Sequence, residues 1–116
     1  MKIIIDAMGG DNAPLEILKG AAQAAEVYGV ELILVGDEQR IVQVAKEISF
    51  DLAPHRIVHT DVVVSMDDDP IVVLHAKKES SLCVGLRLLV AGEGDAFVSA
   101  TNTGALFTAM TKREAF

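Results

Sequence analysis

The chain has 116 residues, 51% of them hydrophobic and only 4% aromatic, with a formal net charge of −7. That length sets one domain with a core of Val, Ile, Leu and Ala, and the acidic balance argues against a nonspecific nucleic-acid partner, whose phosphates need a positive face. Cys83 is the only cysteine, which excludes an intrachain disulfide and makes the cytoplasm the expected location; neither a signal core nor an apolar run of membrane-spanning length is visible.

In chain order, residues 2–6 predict a strand buried on both faces, the isoleucine run ending at Asp6. A turn from Ala7 to Ala13 follows, and Pro14 suits the first turn of a helix, where its missing N–H is no loss. Leu15, Leu18, Ala22 and Ala25 recur at helical spacing and predict a helix from Leu15 to Tyr28, stopped by Gly29. Residues 31–36 (ELILVG) predict a second buried strand, and Asp37 is a good N-cap for a helix from Glu38 to about Ile48. Arg56–His59 reads as a short third strand, residues 60–69 as an irregular acidic loop, and Pro70 to Lys77 as a short helix. Ser80 or Ser81 caps a stronger helix through Leu82–Val90, residues 95–100 make a fourth strand, and Asn102 or Thr103 starts a last helix.

This alternation predicts an α/β fold with a doubly wound, mostly parallel, Rossmann-like sheet. The last helix stops at Phe116 with no capping glycine. We therefore expect residues 1–116 to be the N-terminal part of a single domain, cut from a larger α/β protein.

Two strand-to-helix turns carry the chemistry. In the first, Asp6-Ala-Met-Gly9-Gly10-Asp11-Asn12, paired glycines let the backbone fold tightly and present N–H groups, and the following helix start adds partial positive charge. Asp6 and Asp11 repel a phosphate there, so they must accept protons, hold a lysine, or bind the loop's own N–H groups. Ordinary turn chemistry, with Asp11 or Asn12 capping, explains the same residues. The turn matches neither G-x-G-x-x-G nor the phosphate loop ending G-K-[ST], so no nucleotide class is supported. The second turn, Ser99-Ala-Thr101-Asn102-Thr103-Gly104, is rich in donors suited to a phosphate or a developing oxyanion; its plain reading is an N-cap. If the first and fourth strands are adjacent, the two turns face each other across the switch point of the sheet.

Other polar groups are weaker candidates. Lys77 and Lys78 before the Ser80-Ser81 cap suit a phosphate, an acidic partner, or simply solvent. Asp67-Asp68-Asp69 lacks a fourth ligand and His55, His59 and His75 lack zinc spacing, so no metal is expected. Cys83 sits among Leu82, Val84 and Leu86 and reads as core.

Taken in order, IIIDAMGGDNAP, LILVGD, MDDDP, KKESS and DAFVSATNTGA resemble the start of the phosphate acyltransferase family of bacterial phospholipid synthesis, from Met1 to about Met110. The resemblance implies a Rossmann-like homodimer that moves a fatty acyl group from acyl carrier protein to inorganic phosphate, giving an acyl phosphate, with no metal or organic cofactor. Membrane association is possible for such a protein, but no basic amphipathic segment is visible. Laid on the motifs above, it makes Asp6, Asp11, Asn102 and Thr103 the candidate catalytic residues. Gly9, Gly10, Asn12, Lys77, Lys78, Ser81, Ser99 and Gly104 are the candidate substrate contacts, with Arg87 a further contact for phosphate or carrier protein.

Two positions depart from the family pattern: Thr101 stands where a glycine is usual, and His75-Ala76 where arginines precede the lysine pair. They motivate a second reading, a related acyl- or acetyl-phosphate enzyme subunit with other substrates. A third is an inactive, truncated anion-binding fragment.

Overall fold

The computed structural model describes residues 1–9, 13–63 and 78–100. Four strands, β1 (Lys2–Asp6), β2 (Glu31–Gly36), β3 (Arg56–His59) and β4 (Ala96–Val98), form one sheet in the order β3-β2-β1-β4. All three pairings are parallel. Side chains along a strand alternate between faces, so the register Ile4↔Ile33 and Ile5↔Leu34 sorts the apolar run into two layers.

On one face, Ile5, Leu32 and Leu34 pack against Leu18 and Ala21 of α1 (Leu15–Tyr28) and Ile41 of α2 (Glu38–Glu47). On the other, Ile4, Ile33 and Val35 meet Val84, Leu88 and Leu89 of α3 (Ser81–Val90), together with Phe97 of β4. Helices on both faces of a parallel sheet make this a doubly wound α/β fold, as the sequence predicts. At about 25 cal/mol per Å² of apolar surface, these two layers are the main stabilising term.

The helix ends follow local chemistry. Gly29 takes φ 65°, a left-handed conformation only glycine adopts cheaply, and returns its N–H to the Ala25 carbonyl. Asp37 caps α2 by accepting the Gln39 and Arg40 N–H groups at 3.0 and 3.3 Å. Ser80, not Ser81, caps α3, its hydroxyl accepting the Cys83 N–H at 3.2 Å. Cys83 itself is buried in the core as expected.

Three details differ from the sequence reading. Pro14 occupies the N-cap position of α1, one residue before its first turn, with its carbonyl accepting the Leu18 N–H at 2.9 Å. The buried stripe of α1 runs through Leu18 and Ala21, with Ile17 and Ala25 packed beside it; Ala22 is only half-buried and Leu15 is 37% exposed. β4 runs only over Ala96–Val98, shorter than residues 95–100; at its entrance Asp95 pairs its carboxylate and N–H with the Lys2 backbone, both at 2.8 Å. Beyond β3, Thr60 donates its hydroxyl to the Glu79 carbonyl, and Val62 forms a parallel bridge with Ser80 that seats the start of α3. The expected acidic loop over most of 60–69, the helix at Pro70 to Lys77 and the last helix lie outside the described residues.

Candidate active site

The parallel pairing of β1 with β4 settles the geometry left conditional by the sequence: the two strands are neighbours, Ile5 opposite Val98. The next residues along, Asp6 and Ser99, meet at the carboxyl edge of the sheet, where the strand order reverses and α/β proteins bind ligands. Ser99 donates its hydroxyl to Asp6 Oδ2 at 2.9 Å, and the Met8 N–H donates to Oδ1 at 3.1 Å. Ser81, at the start of α3, also acts on this carboxylate, its hydroxyl helping to hold the Asp6 pKa down. Asp6 is 1% exposed. Burial pushes its carboxyl above the ordinary range, and the hydrogen bonds from Ser81, Ser99, Met8 and Gly9 work against that rise.

Gly9 is pressed onto the residues that leave β4. A Cβ added at Gly9 would lie 3.1 Å from Asp6 Oδ2, 3.2 Å from Ser99 Oγ and 3.3 Å from the Ala100 nitrogen. Gly9 is therefore favoured by close approach, since any side chain there would make its neighbours give by a few tenths of an ångström. Met8 is anchored beneath the turn where Gly36 leaves room: a Cβ at position 36 would sit 2.5 Å from Met8 Cγ.

A family model described as "Fatty acid synthesis protein" matches residues 1–115. The chain belongs to the fatty acid synthesis protein family. Among curated relatives it is 43% identical over 106 residues to a phosphate acyltransferase of Clostridioides difficile, covering 91% of this chain and 31% of that protein. It is 46% identical over 107 residues to the phosphate acyltransferase of Desulforamulus reducens, covering 90% and 31%. The phosphate acyltransferase of Acetivibrio thermocellus is 42% identical over 109 residues, covering 93% and 32%. The chain thus spans about a third of the length of the curated relatives it matches.

Of the candidate residues in this family member, the fold brings together Asp6, Gly9, Ser81 and Ser99. Ser81 is buried and lowers the Asp6 pKa against the effect of burial. Lys78 is exposed. Arg87 is held by the Glu79 carboxylate and the Lys78 carbonyl, each at 3.1 Å. Gly10, Asp11, Asn12, Lys77, Asn102, Thr103 and Gly104 lie outside the described residues, as do Thr101, His75 and the 67–69 aspartates. Among the described residues no group of three His, Cys, Asp or Glu side chains is placed to hold a metal ion, and no helix is long and apolar enough to cross a membrane.

Sequence reasoning missed what the histidines do. His55 Nδ1 accepts the Leu32 N–H at 3.0 Å, and His59 Nδ1 accepts the Glu38 N–H at 3.1 Å. They bracket β3 and pin it to β2 and to α2. Burial lowers the His55 pKa, with Glu31 and Asp51 pulling it back up. The available signal was position: a histidine just before, and another at the end of, a short edge strand.

Proposed function

We propose that this chain supplies the phosphate-binding edge of a phosphate acyltransferase, which transfers a fatty acyl group from acyl carrier protein to inorganic phosphate. The observation that carries this reading is the contact of the two turns at the β1–β4 switch point, with Gly9 against Ser99 and Ala100. The printed names of the relatives support it.

In the proposed reaction a phosphate oxygen attacks the thioester carbonyl, a tetrahedral oxyanion forms, and the C–S bond breaks to release the carrier's thiolate. Backbone N–H groups of Gly10 and Gly104, with Asn102 and Thr103, position phosphate and stabilise the oxyanion, while the Gly9 N–H stays with Asp6. Asp11 and Asn12 orient phosphate from the first turn, and Lys77 and Lys78 meet phosphate or the acidic carrier protein. Dianionic phosphate is already a nucleophile, so the proposed reaction calls for no general base. A cytoplasmic homodimer belongs to the same proposal.

The test is phosphate-dependent release of free carrier protein from palmitoyl-acyl carrier protein, on this chain and on a protein of the relatives' length that carries it. Release that requires phosphate, and that falls in Asp11→Ala and Asn102→Ala, is expected. Release indifferent to phosphate, or to both substitutions, contradicts the reading. Acetyl phosphate and short-chain acyl-coenzyme A, run alongside, test the alternative suggested by Thr101.

A further inference from the structure

One carboxylate joins three segments that are remote in sequence. Asp6 ends β1, Met8 belongs to the turn that follows, Ser99 leaves β4, and Ser81 opens α3. Both Asp6 oxygens are engaged, by the Met8 N–H and the Ser99 hydroxyl, and the side chain is sealed from solvent. A group so enclosed has no free lone-pair direction at the surface with which to meet a substrate.

Ser81 is the less expected member. The α3 cap is already made by Ser80, so the Ser81 hydroxyl is not needed there. Its N–H donates to the Val62 carbonyl at 3.0 Å, fixing the backbone, while its buried hydroxyl helps hold the Asp6 pKa down. Among the described residues, the groups facing Asp6 are hydroxyls and N–H groups of its own turn, β4 and α3, with no charged side chain among them. A buried carboxylate without a cation is costly, and an apolar side chain would serve stability alone better. What the carboxylate supplies is a fixed separation between the turns, which the 3.1–3.3 Å clearances over Gly9 leave almost no room to change.

We propose that Asp6 is a positioning residue, not a catalytic one, and that Ser81 and Ser99 are its partners in a clamp that sets the spacing of the two turns. The clamp transmits the seating of α3 to the switch point, so a change at Ser81 moves Gly9 and Ala100 without touching a ligand. Its functional meaning rests on the phosphate-binding reading above; its existence does not.

The experiment is amide and side-chain carboxyl NMR of the chain, with inorganic phosphate as the probe ligand. The amides of Met8, Gly9, Ser99 and Ala100 are expected to titrate with one midpoint, matching the Asp6 carboxyl carbon, and to lose that titration in Asp6→Asn. Ser81→Ala should shift the Gly9 and Ala100 amides and weaken phosphate binding roughly tenfold, the scale of losing one hydrogen bond to a charged group. Ser81→Thr, which keeps the hydroxyl, should restore both. Independent titration of the two turns overturns the proposal, as does a Ser81→Ala variant that melts earlier with its turn amides and phosphate affinity unmoved. If the wild type binds no phosphate, the functional reading fails while the shared titration still decides the clamp.

Discussion

Gly9 shows how much of the site depends on a missing side chain. With Asp6 Oδ2, Ser99 Oγ and the Ala100 nitrogen all within 3.3 Å of where its Cβ would be, Gly9→Ala has to push the turns apart by a few tenths of an ångström. Misplacement on that scale is expected to cost roughly ten- to a hundredfold in acyl transfer, with little change in melting temperature. Steady-state rates and thermal melts of the variant check it. Asp6 gives a second prediction. Its folded carboxyl titrates above the ordinary value of 3.8, so its contribution to stability is full below 3.8 and is lost as pH rises through the folded pKa. The stability of the wild type relative to Asp6→Asn should therefore be greatest in acid and decline toward neutral pH, as urea titrations at several pH values would show. A flat difference would mean that Asp6 titrates normally. The place of Asp6 at the end of a buried strand was legible from the sequence, but its partners were not. They come from β4 and α3, and only the closure of the sheet brings Ser99 within 2.9 Å across 93 positions of chain.

At the scale of elements, the local signals were strong wherever the backbone chemistry was local. Asp37 and Gly29 act where their types predict, setting the start of α2 and the end of α1. The buried face of α1 was misread, because alanines carry little periodic signal and the choice between Ala21 and Ala22 is made by the sheet beneath. Gly85 is another element-level contact hidden from the sequence: it lies in mid-helix, where glycine is normally unfavourable, because a Cβ there would come within 2.3 Å of the Phe97 ring. Gly85→Ala should lose about 1–3 kcal/mol through overpacking despite its better helix propensity, measured as a shift in denaturant midpoint. A stabilised variant would show that α3 and β4 yield easily. β3 supplies the pH-sensitive element. His55 must be neutral to accept the Leu32 N–H, and its folded pKa lies below the ordinary 6.5. That contribution is complete above 6.5 and is lost as pH falls through the folded pKa. His55→Asn, which keeps an acceptor but cannot take up the proton, should remove this part of the acid-side loss. Hydrogen exchange of the Leu32 amide across the same range would report it.

At the scale of the whole molecule, two helical layers on a four-stranded parallel sheet bring the ends of β1 and β4 together on an acidic body. The doubly wound class was readable because the apolar runs at β1 and β2 are too continuous for a one-sided sheet. The strand order was not, since it depends on which face the long connection from β3 to β4 crosses. The central claim at this scale is that acyl phosphate is made where those turns meet. The most direct measurement is hydroxylamine trapping of that product from palmitoyl-acyl carrier protein and phosphate, in a protein of the relatives' length carrying this segment. The account predicts a trapped product that needs phosphate and drops sharply in Gly9→Ala. A product that forms equally well in Gly9→Ala, or only free fatty acid in the wild type, would contradict it.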